Sequence, residues 1–433
     1  MLELERGESS AATGLAAAGA SADITPIGNI QLAGYLGRES PFAGIASPLE
    51  ANALALCTDG ARVAVVLTLD TLFVGPIVEA TLISHFVNRH GQNANDLLVL
   101  ASHTHFAPSI DETKPLLGRV DADYVALVID RCKALMDSVI SSLGTGASIR
   151  RHAGSSLAAI NRRRWWPLPH VAGGRRIAGP EACMAPNPAG PLDPAITAWI
   201  VTGQAGRPVA AIWHYACHPT GFCEPLKVSA EFPGVVRERL RHRFGNIPVL
   251  FLQGFAGDIR PRVPESRPAS TVAWRTLLWG PSFSGFTLPA WRQWANSLAD
   301  EVAATFDEPP VPDELTASAR IESAEYDLPL SRLVTDDDPK RVVRFQRLRV
   351  SPALDIVAVG AEPLTDLRRH ICFPGTIAVG YLGDVFGYWP TDTDAREGGY
   401  EVGGFLRAFG LQGRLRHPLD GEFTAAIDQL ALP

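Results

Sequence analysis

ARVAVVLTLDTLFVGPIVEATLISHFVNRHGQNANDLLVLASHTH, residues 61–105, is the stretch from which the fold is read. Residues 61–69 are apolar and rich in β-branched side chains, short enough for a buried strand, and they stop at Asp70. Residues 77–88 then place Ile77, Leu82, Ile83 and Phe86 where one helical face can carry them. Residues 96–101, DLLVLA, form a second buried strand, and Ser102-His103-Thr104-His105 sits at its carboxyl end. Apolar strands alternating with amphipathic helices predict an α/β fold with a mixed β-sheet core flanked by helices.

The rest of the chain extends the pattern. A helix is predicted over 124–143, closed by Gly144. A strand pair follows at 195–202 and 209–215, then a helix at 232–244 and a short buried strand at 248–252. Past a Pro/Ser/Trp-rich loop (264–288) come a helix at about 290–306 and an acidic, Pro-rich link at 307–314. Strands are expected at 316–328, 341–349 and 354–360, a helix starting at Glu362, and a strand at 376–382. No internal repeat is visible. Residues 1–22, with the Ala/Gly/Ser stretch 11–22, read as a mobile leader, and 23–433 as a single domain.

With 46% apolar and 20% charged residues the composition is that of a globular protein. A net charge of −7 excludes a broad basic field for nucleic acid or an anionic membrane. No apolar run of about 18 residues marks a membrane span. Six scattered cysteines with no CxxC pair point to free thiols, and the acidic start lacks the basic, apolar plan of a secretion signal. The expected setting is the cytoplasm, and the expected partner a small-molecule substrate.

Chemistry gathers at strand ends. His103 and His105 are two residues apart, so in extended chain both imidazoles face one side. In VAAIWHYACHPT (209–220), His218 precedes a proline and leaves the strand in a turn, while His214, nearer the strand, reads as structural. Glu362 follows the 354–360 strand; by itself it reads as a dipole partner at a helix start. The loop GDVFGYWPTDTDAREGGYE (383–401) offers Tyr388 and Tyr400 for phenolate ligation or for hydrogen bonding to an oxyanion. Arg162 suits an oxyanion or carboxylate, and Asp258 in GFAGDIRPR (254–262) is the expected buried carboxylate and proton carrier. Trp165, Trp166, Trp274, Trp279 and Trp389 are candidates for an aromatic pocket. No P-loop, GxSxG elbow or HExxH helix is present, so histidines and carboxylates at strand ends favour a metal over a serine triad.

Taken in order, these motifs resemble the catalytic domain of the neutral/alkaline (non-lysosomal) ceramidase family. The likeness runs from Ala22-Asp23-Ile24-Thr25-Pro26 and Leu32-Ala33-Gly34-Tyr35 through Ser102-His103-Thr104-His105 and Ile160-Asn161-Arg162. It continues through Asn187-Pro188, Asp193-Pro194, Ala216-Cys217-His218-Pro219-Thr220, Ser229-Ala230-Glu231 and Gly257-Asp258-Ile259-Arg260-Pro261, and it ends at Glu362, Tyr388 and Tyr400-Glu401. The resemblance implies a Zn²⁺ site of His103, His218, Glu362 and Tyr388. His105 is then an acid/base or oxyanion partner, Arg162 and Tyr400 lie beside the substrate carbonyl, and Asp258 helps to move the proton. Mixed N/O ligation with an open position suits catalytic zinc. The implied activity is hydrolysis at a carbonyl carbon by water activated at the metal, an amide (N-acyl) bond before an ester or lactone.

Two departures stand out. The family's essential serine is replaced by Arg260, which implies a small or anionic substrate rather than ceramide, with Arg260, Trp389 and Trp165 expected to contact it. The family's immunoglobulin-like C-terminal domain has no counterpart after the tyrosine motif, and the expectation is a compact intracellular relative. Two rival readings are a silent binding homologue, favoured by Arg260, and a structural zinc, disfavoured by the Glu/Tyr pair.

Overall fold

The computed structural model describes residues 14–58, 60–172, 175–265, 269–312, 319–335 and 340–432. Three four-stranded sheets follow one plan. In the first, Ala16–Asp23, Glu50–Thr58 and Arg62–Leu69 run antiparallel in turn, and Leu97–Ala101 then pairs parallel with Arg62–Leu69. The second repeats this with Ser148–Ser155, Ala195–Thr202, Pro208–Tyr215 and, in parallel, Val249–Gln253. The third does so with Glu322–Pro329, Val342–Ser351, Leu354–Val359 and, in parallel, Ile377–Val379. A parallel pair needs a crossover. Helices Pro76–His90 and Glu231–Phe244 provide it in the first two sheets, and the 3₁₀ turn Thr365–His370 lies in the third connection.

Arg62–Leu69, Leu97–Ala101, Ala195–Thr202 and Leu354–Val359 read as nearly unbroken apolar runs because both their faces are covered. The inner faces of the three sheets share one core: Leu54, Val66 and Leu100 from the first sheet, Ile212 and Leu252 from the second, Ile356 and Val379 from the third. Outside the first sheet, Leu82 and Phe86 of Pro76–His90 and Val128 and Leu135 of Ala122–Ser141 close a second core. Outside the second, Phe232 and Val236 pack with Leu298 and Val302 of Leu288–Thr305. The carboxyl ends of the parallel pairs are stitched together by the segment after Ile377–Val379: Ala101 N donates to Tyr381 O, Gly380 N to Gln253 O and Gly383 N to Val99 O. Such carboxyl ends are where α/β sheets bind ligands.

Several expectations need correction. The supposed leader is partly a strand, since Ala16–Asp23 pairs along its whole length with Glu50–Thr58; residues 1–13 lie outside the described residues. Its small side chains serve packing: a Cβ on Gly19 would fall 2.7 Å from Val209 O and 2.8 Å from Pro248 Cγ. No helix starts at Glu362. Glu362–Pro363 is instead a short strand parallel to Tyr388–Trp389, with Glu362 N donating to Gly387 O. The strand expected at 316–328 spans Glu322–Pro329, and residues 313–318 lie outside the described residues. The strand at 376–382 shrinks to Ile377–Val379, because Tyr381 adopts φ 61. Strands Glu50–Thr58, Ser148–Ser155 and Ala159–Trp166 were not anticipated. Among the described residues no helix is long and apolar enough to cross a membrane.

Candidate metal centre

Each sheet contributes one side chain to a common point. His103 lies two residues past Leu97–Ala101, His218 three past Pro208–Tyr215, and Glu362 three past Leu354–Val359. All three are at most 1% exposed. His103 adopts φ 65, a region that costs a side-chain-bearing residue of order 1 kcal/mol or more and persists only where the surroundings fix it. Its Nδ1 lies 3.0 Å from Leu72 O, and His218 Nδ1 lies 3.0 Å from Ala256 O.

Those carbonyls decide the tautomers. Each Nδ1 donates, so each Nε2 keeps its lone pair and turns it inward. The two Nε2 atoms are 2.9 Å apart and lie 3.3 and 3.6 Å from Glu362 Oε2, which has no hydrogen-bond partner among the described residues. His105 Nε2 stands 3.3 Å from His103 Nε2. Burial holds His218 and His105 well below the usual histidine range, and His103 beside them adds to it. Acceptors facing acceptors repel one another unless a cation lies between them. The ligand atoms of His103, His105 and His218 all lie within 4.8 Å of one another, a grouping able to hold a metal ion. Nitrogen and carboxylate donors backed by carbonyls fit the chemistry of catalytic zinc.

Tyr388 is the register partner of Glu362 in the short parallel ladder, so the two side chains leave neighbouring positions. Its hydroxyl accepts a hydrogen bond from Arg162 Nη2 at 3.1 Å, and burial followed by the Glu362 carboxylate pushes it well above the usual tyrosine range. Arg162 Nε donates to Glu401 Oε1 at 2.9 Å, and Glu401 Oε2 accepts from Arg163 Nη1 at 2.9 Å. Burial disfavours the Arg162 charge, but the Tyr388 and Glu401 oxygens outweigh it and hold the guanidinium charged. Tyr400 packs with its ring 5.6 Å from that of Tyr388, and burial pushes its hydroxyl up to about 12.

Other expected residues fall elsewhere. Asp258 is buried, but its oxygens accept from Asn161 Nδ2, Thr365 N and Thr365 Oγ1. It ties the strand of Arg162 to the segment after Glu362, and burial pushes its carboxyl up to about 6. Trp389 is fully buried against Phe345, Phe386 and Phe423, with Nε1 donating to Leu419 O; it belongs to the core, not to a substrate pocket. Trp165 is 46% exposed and, by strand alternation, on the opposite face from Arg162. Trp274 and Trp279 are also exposed. His214 is structural, its Nε2 3.0 Å from Ala378 O. Arg260 is paired with Ile160, two residues before Arg162 on the same strand, and so shares the Arg162 face.

Two neighbours of the cluster were given no role from the sequence. Tyr381, at φ 61, stacks its ring 4.3 Å from that of His103, and burial with the nearby Glu362 carboxylate pushes its hydroxyl well up. Its place two residues past a strand, between Gly380 and Gly383, mirrors that of His103. Tyr35 packs its ring 5.0 Å from that of His105, and its hydroxyl donates to Thr220 O.

No protein-family model matches the chain, and no curated protein matches it. Solved structures do. The crystal structure of neutral ceramidase from Pseudomonas aeruginosa superposes with a TM-score of 0.70 at 16% identity, covering 96% of this chain and 74% of that one. A structure described as ceramidase complexed with C2 gives 0.68 at 16% identity, covering 96% and 75%. The chain therefore has the fold of the neutral ceramidases.

Proposed function

We propose that the chain is a zinc-dependent hydrolase acting at a carbonyl carbon, most readily the amide bond of a small or anionic N-acyl substrate, with an ester or lactone next. The observation that carries this reading is the acceptor-only cluster of His103 Nε2, His218 Nε2 and Glu362 Oε2, two of its members locked by carbonyls behind them. His103, His218, Glu362 and Tyr388 would hold the ion; the ladder pairing with Glu362 supports Tyr388 over Tyr400. A divalent ion there supplies Lewis-acid polarisation of a carbonyl and a lowered pKa for water.

The surrounding side chains have separate tasks. His105, kept neutral by burial, accepts a proton through Nε2 and returns it to the leaving group. Arg162, fixed by Glu401, offers a permanent charge to an oxygen that becomes negative. Tyr400 keeps its hydroxyl protonated and serves as a donor. Asp258 holds the two segments that carry Arg162 and Glu362. Arg260, standing where the resembled family has serine, favours one second reading: a ligand-binding homologue without turnover.

The test combines metal analysis of the purified protein with turnover of N-acyl, ester and lactone panels by the native chain, His103→Ala and His218→Ala. Bound zinc lost together with activity in both variants is the expected result. Full activity in metal-free protein would end the proposal.

A further inference from the structure

Arg260 forms no ion pair with any carboxylate among the described residues. Its Nε is buried without a hydrogen-bond partner, and its guanidinium stacks 4.1 Å from the centre of the Phe283 ring. No hydrogen bond or ion pair reaches it from the described residues. The side chain is partly buried, and a guanidinium held against apolar surface with no carboxylate beside it is disposed to meet an anionic ligand. The carboxylates nearby do not serve. Glu265, in the same cleft, directs both oxygens to Ser284, and Glu231 is held by Phe232 N and Trp291 Nε1. Burial also pushes Glu231 up to about 7, so it supplies only a fractional charge at neutral pH.

The cleft in front of Arg260 has a volume of about 360 Å³ and apolar walls from Ile160, Pro186, Val263, Phe283 and Phe286. That is the low end of the range for small-molecule sites, and apolar walls with a few charged groups, here Arg260 with Arg262 and Glu265, are typical of them. Its direction follows from the sheet. Arg260 opposes Ile160, and Arg162 is the next residue on that face, its guanidinium touching Tyr388 beside Glu362. Diagonal neighbours of this kind lie roughly 7–8 Å apart at Cα. One small molecule therefore spans the distance between the two arginines.

We infer that Arg260 is the recognition residue for a carboxylate-type anionic group on a small ligand, seated in the Phe283–Phe286 cleft and bound bidentately by the guanidinium. Identification of that ligand as substrate rests on the hydrolase reading, with its scissile carbonyl toward Arg162; the anion site itself does not depend on the metal. A planar guanidinium matches a carboxylate through two parallel hydrogen bonds, a geometry that an uncharged amide cannot reproduce.

The experiment is calorimetric titration of the full chain, as isolated and after metal removal, with 3-phenylpropanoate and with 3-phenylpropanamide, its uncharged counterpart. Native protein is expected to favour the carboxylate at least about tenfold in both states, as befits a charge-assisted bidentate contact. Arg260→Gln should erase that preference and Arg260→Lys keep part of it. With no ligand present, Arg260→Met should melt at or above the native temperature, because it removes a buried Nε that has no hydrogen-bond partner while keeping an apolar stem against Phe283. Equal binding of the two probes, no binding of either, a preference that survives in Arg260→Gln, or a clearly lower melting temperature for Arg260→Met would each overturn the inference. A preference seen only with metal bound would place the anion on the ion instead and overturn it equally. A failure of zinc-dependent turnover, by contrast, leaves metal-free anion binding intact, so the two readings fail separately.

Discussion

Replacing Glu231 with glutamine isolates the cost of one buried carboxylate. Glu231 is 1% exposed, adopts φ 60 at the start of Glu231–Phe244, and accepts hydrogen bonds from its neighbour Phe232 N and from Trp291 Nε1. Burial outweighs those bonds and lifts its carboxyl from 4.5 to about 7. At 1.36 kcal/mol per pKa unit, holding it ionised in the fold costs about 3 kcal/mol relative to the unfolded chain. The sign is fixed by the raised value: the folded state binds the proton more tightly, so this group's contribution is fully favourable below about pH 4.5 and is lost as pH climbs through about 7. Urea unfolding of native protein and Glu231→Gln at pH 4.5 and pH 8 measures it. Glutamine turns an amide donor toward groups that also donate, a fixed penalty of about 1–3 kcal/mol at both pH values. Glu79 and Asp258, pushed up to about 7 and about 6, titrate in both proteins and cancel in the difference. The native protein should therefore lose about 3 kcal/mol relative to the variant between the two pH values. A gap that stays constant within about 1 kcal/mol would refute the argument.

Glu401→Gln removes the carboxylate that joins Arg162 and Arg163, all three side chains being at most 6% exposed; chemical denaturation should show a loss of about 3–5 kcal/mol, the usual cost of breaking a buried ion pair. Gly257→Ala would place a Cβ 2.7 Å from Glu362 O and 3.1 Å from Pro363 O. It should cost about 1–3 kcal/mol of stability and lower zinc affinity measurably in a chelator competition, because the backbone of a proposed ligand must shift. Trp389→Phe, which loses the bond to Leu419 O and part of a packed ring, should lower the melting temperature while KM stays unchanged; a raised KM with native stability would return Trp389 to the substrate pocket.

The sequence showed most clearly the features governed by local rules. Strands buried on both faces announce themselves as apolar runs, so 61–69, 195–202 and 354–360 could be read directly. The Ala/Gly strand Ala16–Asp23 could not, because small residues chosen for close approach to Val209 and Pro248 look the same as a linker. His103 and His218 stood out as histidines at strand ends. Glu362 was ambiguous until its ladder with Tyr388 replaced the expected helix, a non-local pairing that no window of sequence contains. Asp258 was legible as a buried carboxylate but not as one already bonded to Thr365, since that partner lies 107 positions away. Aromatic residues were least legible: Trp389 in the core and Trp165 at the surface carry the same local signature, and Tyr381 sat inside what reads as a strand.

The thrice-used sheet plan ties cation affinity to assembly. His103, His218 and Glu362 hang from different sheets, so a metal ion held there would act as a cross-link whose strength depends on how the three units dock. A methyl group deleted deep in their shared centre, far from any ligand, should thus weaken the grip on such an ion before the strands themselves melt. The converse follows by mass action: a hundredfold excess of ion over its dissociation constant would add about 2.7 kcal/mol to the whole, fastening through one atom three layers that already share a core.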